Sequence, residues 1–141
     1  MAGTIVADQL EAASTSTLVI KNGVANTPPT VQDSAGTQIG TFCRAWVNFN
    51  GTTNTGGFCT IRGSFNVTSV ADNGTGDQTV NFTNALPDAN YSAVVTGAAE
   101  TNSSIVAVRT SVYSTTALRV NTLSTAFVNS DNAVVNVAVF R

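Results

Sequence analysis

No stretch of this chain holds the apolar spacing of a helix for more than about two turns, and the only candidate is Ala7–Ala13. Short runs rich in Val, Thr, Ile, Tyr and Phe recur instead, and their branched or aromatic side chains suit a pleated surface. Such runs lie at 15–21, 42–50, 58–70, 78–83, 91–97, 105–113, 116–123 and 133–140. Turn-forming clusters separate them: Lys21-Asn22-Gly23, Gly51 to Gly57, Asp72-Asn73-Gly74, Leu86-Pro87-Asp88, Thr101 to Ser104 and Asn129 to Asn132. Short strands at this spacing predict an all-β chain, an antiparallel β-sandwich of jelly-roll-like kind.

Alternation assigns the faces. In 42–50, Cys43, Ala45, Val47 and Phe49 point one way and Arg44, Trp46, Asn48 and Asn50 the other. In 133–140, Val135, Val137 and Val139 share a face, and the opposite face is also largely apolar. That strand is expected at the centre of a sheet or at a subunit contact. Val106, Val108 and Val112 stand opposite Arg109 and Ser111 in the same way.

The first forty residues read differently. Thr27-Pro28-Pro29-Thr30 favours extended backbone outside any ladder, so 22–41 reads as a linker or arm. The division is therefore an N-terminal attachment arm over 1–40 and a β knob over 41–141. Met1 to Asp8 lacks a basic region followed by an apolar stretch, and the chain reads as a short gene product made in a cytoplasm.

Composition removes several kinds of chemistry. The chain has no His, so a Ser-His-Asp triad, a Cys-His pair and an imidazole metal site are excluded. Six cations, Lys21 and five Arg, are scattered along it at a net charge of -2, too few to line a phosphate-binding face, so no nucleic-acid partner is expected. No apolar run approaches the ~18 residues of a membrane-spanning helix, and no membrane insertion is expected. Only 10% of residues are charged, whereas 22 Thr, 15 Asn and 12 Ser supply a neutral polar surface.

The remaining motifs admit plain readings. Cys43 and Cys59 flank the Gly51–Gly57 turn; with the hairpin tip near Gly51 they would face each other in a candidate disulfide closing about 15 residues, worth roughly 3 kcal/mol. A longer loop separates them, and in a reducing compartment both stay thiols. Asp72-Asn73-Gly74-Thr75-Gly76-Asp77 offers oxygen ligands for calcium, but Gly74 and Thr83 stand where an EF-hand needs ligands, and a hairpin turn accounts for it. Two acids could run a glycosidase, yet most of the acids lie in or beside turns and none lies near Trp46, the obvious sugar-stacking residue. No metal, cofactor or catalytic activity is expected.

Cys43-Arg44-Ala45-Trp46-Val47-Asn48-Phe49-Asn50-Gly51-Thr52 resembles the opening of a domain in fibre and appendage proteins of tailed bacteriophages, marine and cyanobacterial ones included. The likeness continues through Ile61-Arg62-Gly63-Ser64-Phe65-Asn66-Val67, Asp72 to Asp77 with Val80-Asn81-Phe82, and Ala85-Leu86-Pro87-Asp88-Ala89-Asn90-Tyr91. Ala7-Asp8-Gln9-Leu10 and Asn22 to Pro29 are also similar to such proteins. The connection between Phe49 and Ile61 departs from the family by about four extra residues of Thr, Asn and Gly, Asn54 among them, a protruding loop that tolerates variation.

The resemblance implies a non-enzymatic homotrimeric fibre tip or knob in the virion. Its partners would be its own copies, a tail or baseplate protein through the arm, and a polysaccharide of the host surface. Trp46, Asn54, Tyr91 and Tyr113 are the candidate receptor contacts, the three aromatics as platforms for sugar rings. A head fibre or capsid-decoration protein is the alternative within the virion. A free carbohydrate-binding β-sandwich or glycan hydrolase is the alternative outside it.

Overall fold

The computed structural model describes Ile20, residues 31–98 and residues 107–141. The strand expected over 15–21, apart from Ile20, and residues 21–30 of the arm lie outside the described residues.

Ten strands and no helix make up the described chain: β1 (Val31–Gln32), β2 (Gln38–Gly40), β3 (Cys43–Thr55), β4 (Phe58–Phe65), β5 (Val67–Gly74), β6 (Asp77–Phe82), β7 (Ser92–Ala98), β8 (Ala107–Tyr113), β9 (Ala117–Leu123) and β10 (Val134–Phe140). The fold is all-β, and every ladder is antiparallel. β3 to β10 form one 8-stranded sheet in the order β7-β10-β3-β4-β5-β6-β9-β8. Its end strands β7 and β8 come together, so the sheet nearly closes on itself like a barrel.

The sheet folds between β4 and β5, which pair at a single position, Phe58 with Ala71. The core between the strands includes Ala45 and Val47 of β3, Val137 and Val139 of β10, Val67 of β5, and Val80 and Phe82 of β6. The alternation seen in the sequence is what fills it. Phe49, Val135, Val139, Val70, Val80, Leu118 and Val120 are fully buried, whereas Trp46 and Asn136 on alternate positions stay at the surface.

The run expected as one strand over 58–70 is broken at Asn66, where φ is 55°. Asn tolerates this left-handed conformation better than a branched residue. Its amide fixes the corner, donating to the Arg44 carbonyl at 3.0 Å and the Asn84 carbonyl at 3.2 Å and accepting from Asn84 N at 2.8 Å.

The Gly51–Gly57 turn is also relocated. β3 continues through Thr52–Thr55, and the chain reverses at Gly56 and Gly57, with φ of 62° and 86°. Register shows the consequence for the cysteines. Phe49 faces Ile61 and Asn50 faces Thr60, so Cys59 lies toward the hairpin tip, while Cys43 lies opposite Phe140 at the other end. Seven residues of β3 separate Cys43 from the level of Thr60, roughly 20 Å or more of strand, far beyond the ~7 Å Cα separation that a bridge allows. Both thiols are free, and the candidate disulfide is not made.

The ladders give the eight-stranded sheet two distinct ends. At the base lie Thr41, the Asn66 corner, the 83–91 connection, the turn between β8 and β9, and Arg141. At the tip lie the Gly56–Gly57 turn, the turn between Gly74 and Asp77, and the 124–133 connection. Within the expected arm, 31–40 forms a small hairpin rather than ladder-free chain: Asp33 Oδ1 accepts from the amides of Ala35 and Thr37, both at 2.9 Å, and β1 pairs with β2. The hairpin is largely exposed.

Candidate functional site

The four candidate contacts fall in three places. Tyr91 is 7% exposed and belongs to the core: its hydroxyl donates to the carbonyls of Ala117 at 3.1 Å and Ser114 at 3.3 Å, and its ring meets Phe82 edge-on. Burial pushes its pKa up. It is removed from the contact surface, because the base turn needs its ring as a plug and its hydroxyl as a tie. Tyr113 lies against it with ring centroids 5.0 Å apart, its hydroxyl 2.7 Å from Thr110 Oγ1, and keeps 40% exposure at the edge of the base.

Asn54 stands at the tip, but its amide is engaged in the tip's own structure. It donates to Asp72 Oδ2 at 2.7 Å and accepts from Gly57 N at 2.9 Å. Asp72 also accepts from Gly74 N at 2.9 Å, so the loop that suggested calcium spends its first carboxylate on turn geometry. Among the described residues no group of three or more His, Cys, Asp or Glu side chains is placed to hold a metal ion.

Trp46 projects from the outer face of β3, 44% exposed. Two rows cross this face. The first is Val94–Ala138–Trp46–Phe65, each residue directly opposite the next on β7, β10, β3 and β4. The second is Thr96–Asn136–Asn48–Gly63. In it Asn48 Nδ2 donates to Asn136 Oδ1 at 2.5 Å and Asn136 Nδ2 to Thr96 Oγ1 at 3.2 Å. The indole lies over Gly63, where a Cβ would meet its outer carbons at 3.5 Å, an ordinary van der Waals contact.

The tip carries the most exposed aromatic, Phe127, at 77%, followed by Val128 at 64%. Phe127 has φ of 58°, a conformation that costs a bulky residue on the order of 1–3 kcal/mol and persists only where the surroundings impose it. They do so here. Phe127 N donates to Ser124 O, Ser124 N to Val128 O, Ser130 N to Thr122 O, and the Thr122 hydroxyl to Ser130 O, at 2.7–3.0 Å. Asp131 accepts from Gly76 N at 2.6 Å, and Gly76 packs so closely beneath the loop that a Cβ would meet Thr122 O at 2.4 Å. Phe127 therefore stands on a rigid mount, among the hydroxyls and amides of Ser124, Thr125, Asn129 and Ser130.

The tip carries the carboxylates Asp72, Asp77 and Asp131. Arg119 makes a bidentate pair with Asp77, which holds the Asp77 carboxyl below its usual range. Burial, with Asp72 and Asp131 nearby, pushes the Cys59 thiol up to about 11.

Phe127 and Phe65 were not singled out by sequence reasoning. Phe127 left one sign, a lone aromatic within a turn-forming segment. Phe65 was hidden by the unbroken look of 58–70, which gave no hint of the corner at Asn66. No family model, curated protein or solved structure matches this chain.

Proposed function

We propose that this chain is a non-catalytic structural protein of a tailed-phage virion, a homotrimeric tail-fibre or adhesin knob that binds polysaccharide on the host surface. The observation that carries the reading is the polarity of the domain. Thr41, where the arm joins the knob, and the C-terminal Arg141 share the base, while the strained, exposed Phe127 stands at the opposite end. A knob held by its base presents Phe127 outward. Neutral hydroxyls and amides around an aromatic platform suit sugar rings, which offer C–H faces for stacking and hydroxyls for hydrogen bonds. Backbone strain kept at an exposed tip is of use to binding and of none to stability. The assignment to a phage rests on the ordered sequence blocks between residues 43 and 91.

Phe127→Gly tests the reading, because glycine adopts φ of 58° freely and removes the ring. Adsorption of the purified protein to host cells should fall at least tenfold while the melting temperature holds or rises. Undiminished adsorption in a folded Phe127→Gly protein would overturn the tip as the contact surface.

A further inference from the structure

The outer surface of the eight-stranded sheet differs in character between its two halves. Over β5, β6 and β9 the surface is polar: Asn81 donates to the Ser69 hydroxyl at 3.1 Å, Asn73 to the Thr79 hydroxyl at 2.8 Å, and Arg119 pairs with Asp77. Over β7, β10, β3 and β4 the rows Val94–Ala138–Trp46–Phe65 and Thr96–Asn136–Asn48–Gly63 contain no charged side chain. Trp46, Phe65 and Val94 are 44%, 54% and 54% exposed, side by side.

We propose that this second face is where copies of the chain associate, the apolar rows of the copies meeting around the axis they share. Three properties favour a second copy over a glycan. The amides of Asn48 and Asn136 bond to each other and to Thr96 along the row, which offsets part of the cost of drying the face. A sugar site would instead hold such groups outward for hydroxyls. The face is broad, four strands wide and seven residues long along β10. At about 4.8 Å per strand and 3.3 Å per residue it spans about 19 Å by 23 Å, and its corrugated surface is on the order of the ~800 Å² per partner of a standard interface. Finally, neither row brings like charges together where copies meet, and Arg44 of β3 and Arg62 of β4 stand outside both rows. The inference rests on the homotrimeric reading above and names the surface that serves it.

Trp46 is the chain's one tryptophan, so indole fluorescence reports on this face alone. The test follows emission, iodide quenching and mass by light scattering through a dilution series of the full chain. Assembled protein should emit to the blue and resist iodide, and dilution should shift emission to the red in step with the falling mass. A Phe65→Ser, Val94→Ser double variant, both changes at exposed positions, should need at least a tenfold higher concentration to assemble. Assembled wild-type protein whose Trp46 is freely quenched would overturn the face as the contact even if the variant failed to fold. A folded variant assembling as wild type does would overturn it too, and in both cases the trimeric reading would stand. A wild-type chain monomeric at all concentrations would overturn both, and a blue shift then produced by host polysaccharide would assign the face to sugar.

Discussion

The Thr41 hydroxyl donates a 2.8 Å hydrogen bond to the main-chain oxygen of Arg141, 100 residues further along the chain. Beside it the Arg141 guanidinium grips Asp88 in two bonds, at 2.9 Å and 2.7 Å, and holds that carboxyl below its usual range. The start of the knob, its last residue and the 83–91 connection are thus fastened together at one end. What remains at the other end is free to serve as a contact surface.

Tyr91 belongs to that base, and its chemistry is structural. Tyr91→Phe keeps the ring against Phe82 and Tyr113 but deprives two carbonyls of a donor. The cost should be about 1 kcal/mol in urea unfolding, with adsorption to host cells unchanged. A loss of adsorption without loss of stability would return Tyr91 to the contact surface.

Gly76 and Gly56 separate conformation from crowding. Both have positive φ, 63° and 62°, but nothing lies within 4 Å of a Cβ at Gly56, whereas one at Gly76 would meet Thr122 O at 2.4 Å and Ser130 N at 2.5 Å. Gly56→Ala should cost about 1 kcal/mol, the left-handed penalty alone. Gly76→Ala should cost about 3 kcal/mol or more, since two backbone segments must move. Because those segments mount Phe127, its loop should also gain hydrogen exchange. Equal costs at the two positions would contradict the close packing of the tip loop.

The strands were legible because burial on one side imprints alternation, as Ala45, Val47 and Phe49 against Arg44, Trp46 and Asn48 make plain. The corner at Asn66 was not, since a single residue at φ of 55° leaves the alternation around it nearly intact. The extension of β3 through Thr52–Thr55 was hidden for a different reason. Those residues are held by their own side chains, with the Thr53 hydroxyl bonding Asn50 O and Thr60 N, and they cover no core. Polar residues holding a ladder look like a turn. Alternation already set Trp46 on the outer side of β3, whereas Tyr91 precedes β7, and only the packing of its ring against Phe82 shows it to be buried.

The Asp77–Arg119 pair makes stability depend on acid. The folded carboxyl has its pKa lowered chiefly by the Arg119 hydrogen bond, so it contributes stability that is present above the unfolded value near 3.9 and is lost as pH falls through the folded one. Asp77→Asn should flatten the acid limb of the stability curve, measured by urea midpoints from pH 6 to pH 2. An unchanged limb would show the pair to be energetically idle.

Cys59 sets the alkaline limb. Its thiol, raised to about 11, stays neutral in the fold after the unfolded thiol, near pH 8.5–9, has ionised. The unfolded chain then binds fewer protons, so stability falls as pH rises between about 9 and 11. Cys59→Ala should reduce that slope, leaving what the raised Tyr91 hydroxyl contributes above about pH 10. At pH 8 a thiol reagent should label the partly exposed Cys43 well before the buried Cys59. Equal labelling rates in the native protein would contradict the burial of Cys59.

The central claim is a place: a fibre knob whose tip faces the host. Gold-labelled antibody raised against residues 51–57 of the tip hairpin, applied to intact virions under the electron microscope, addresses it most directly. Gold at the far ends of the tail fibres is the predicted result. Gold confined to the capsid would contradict it and make the chain a head fibre or a decoration of the shell.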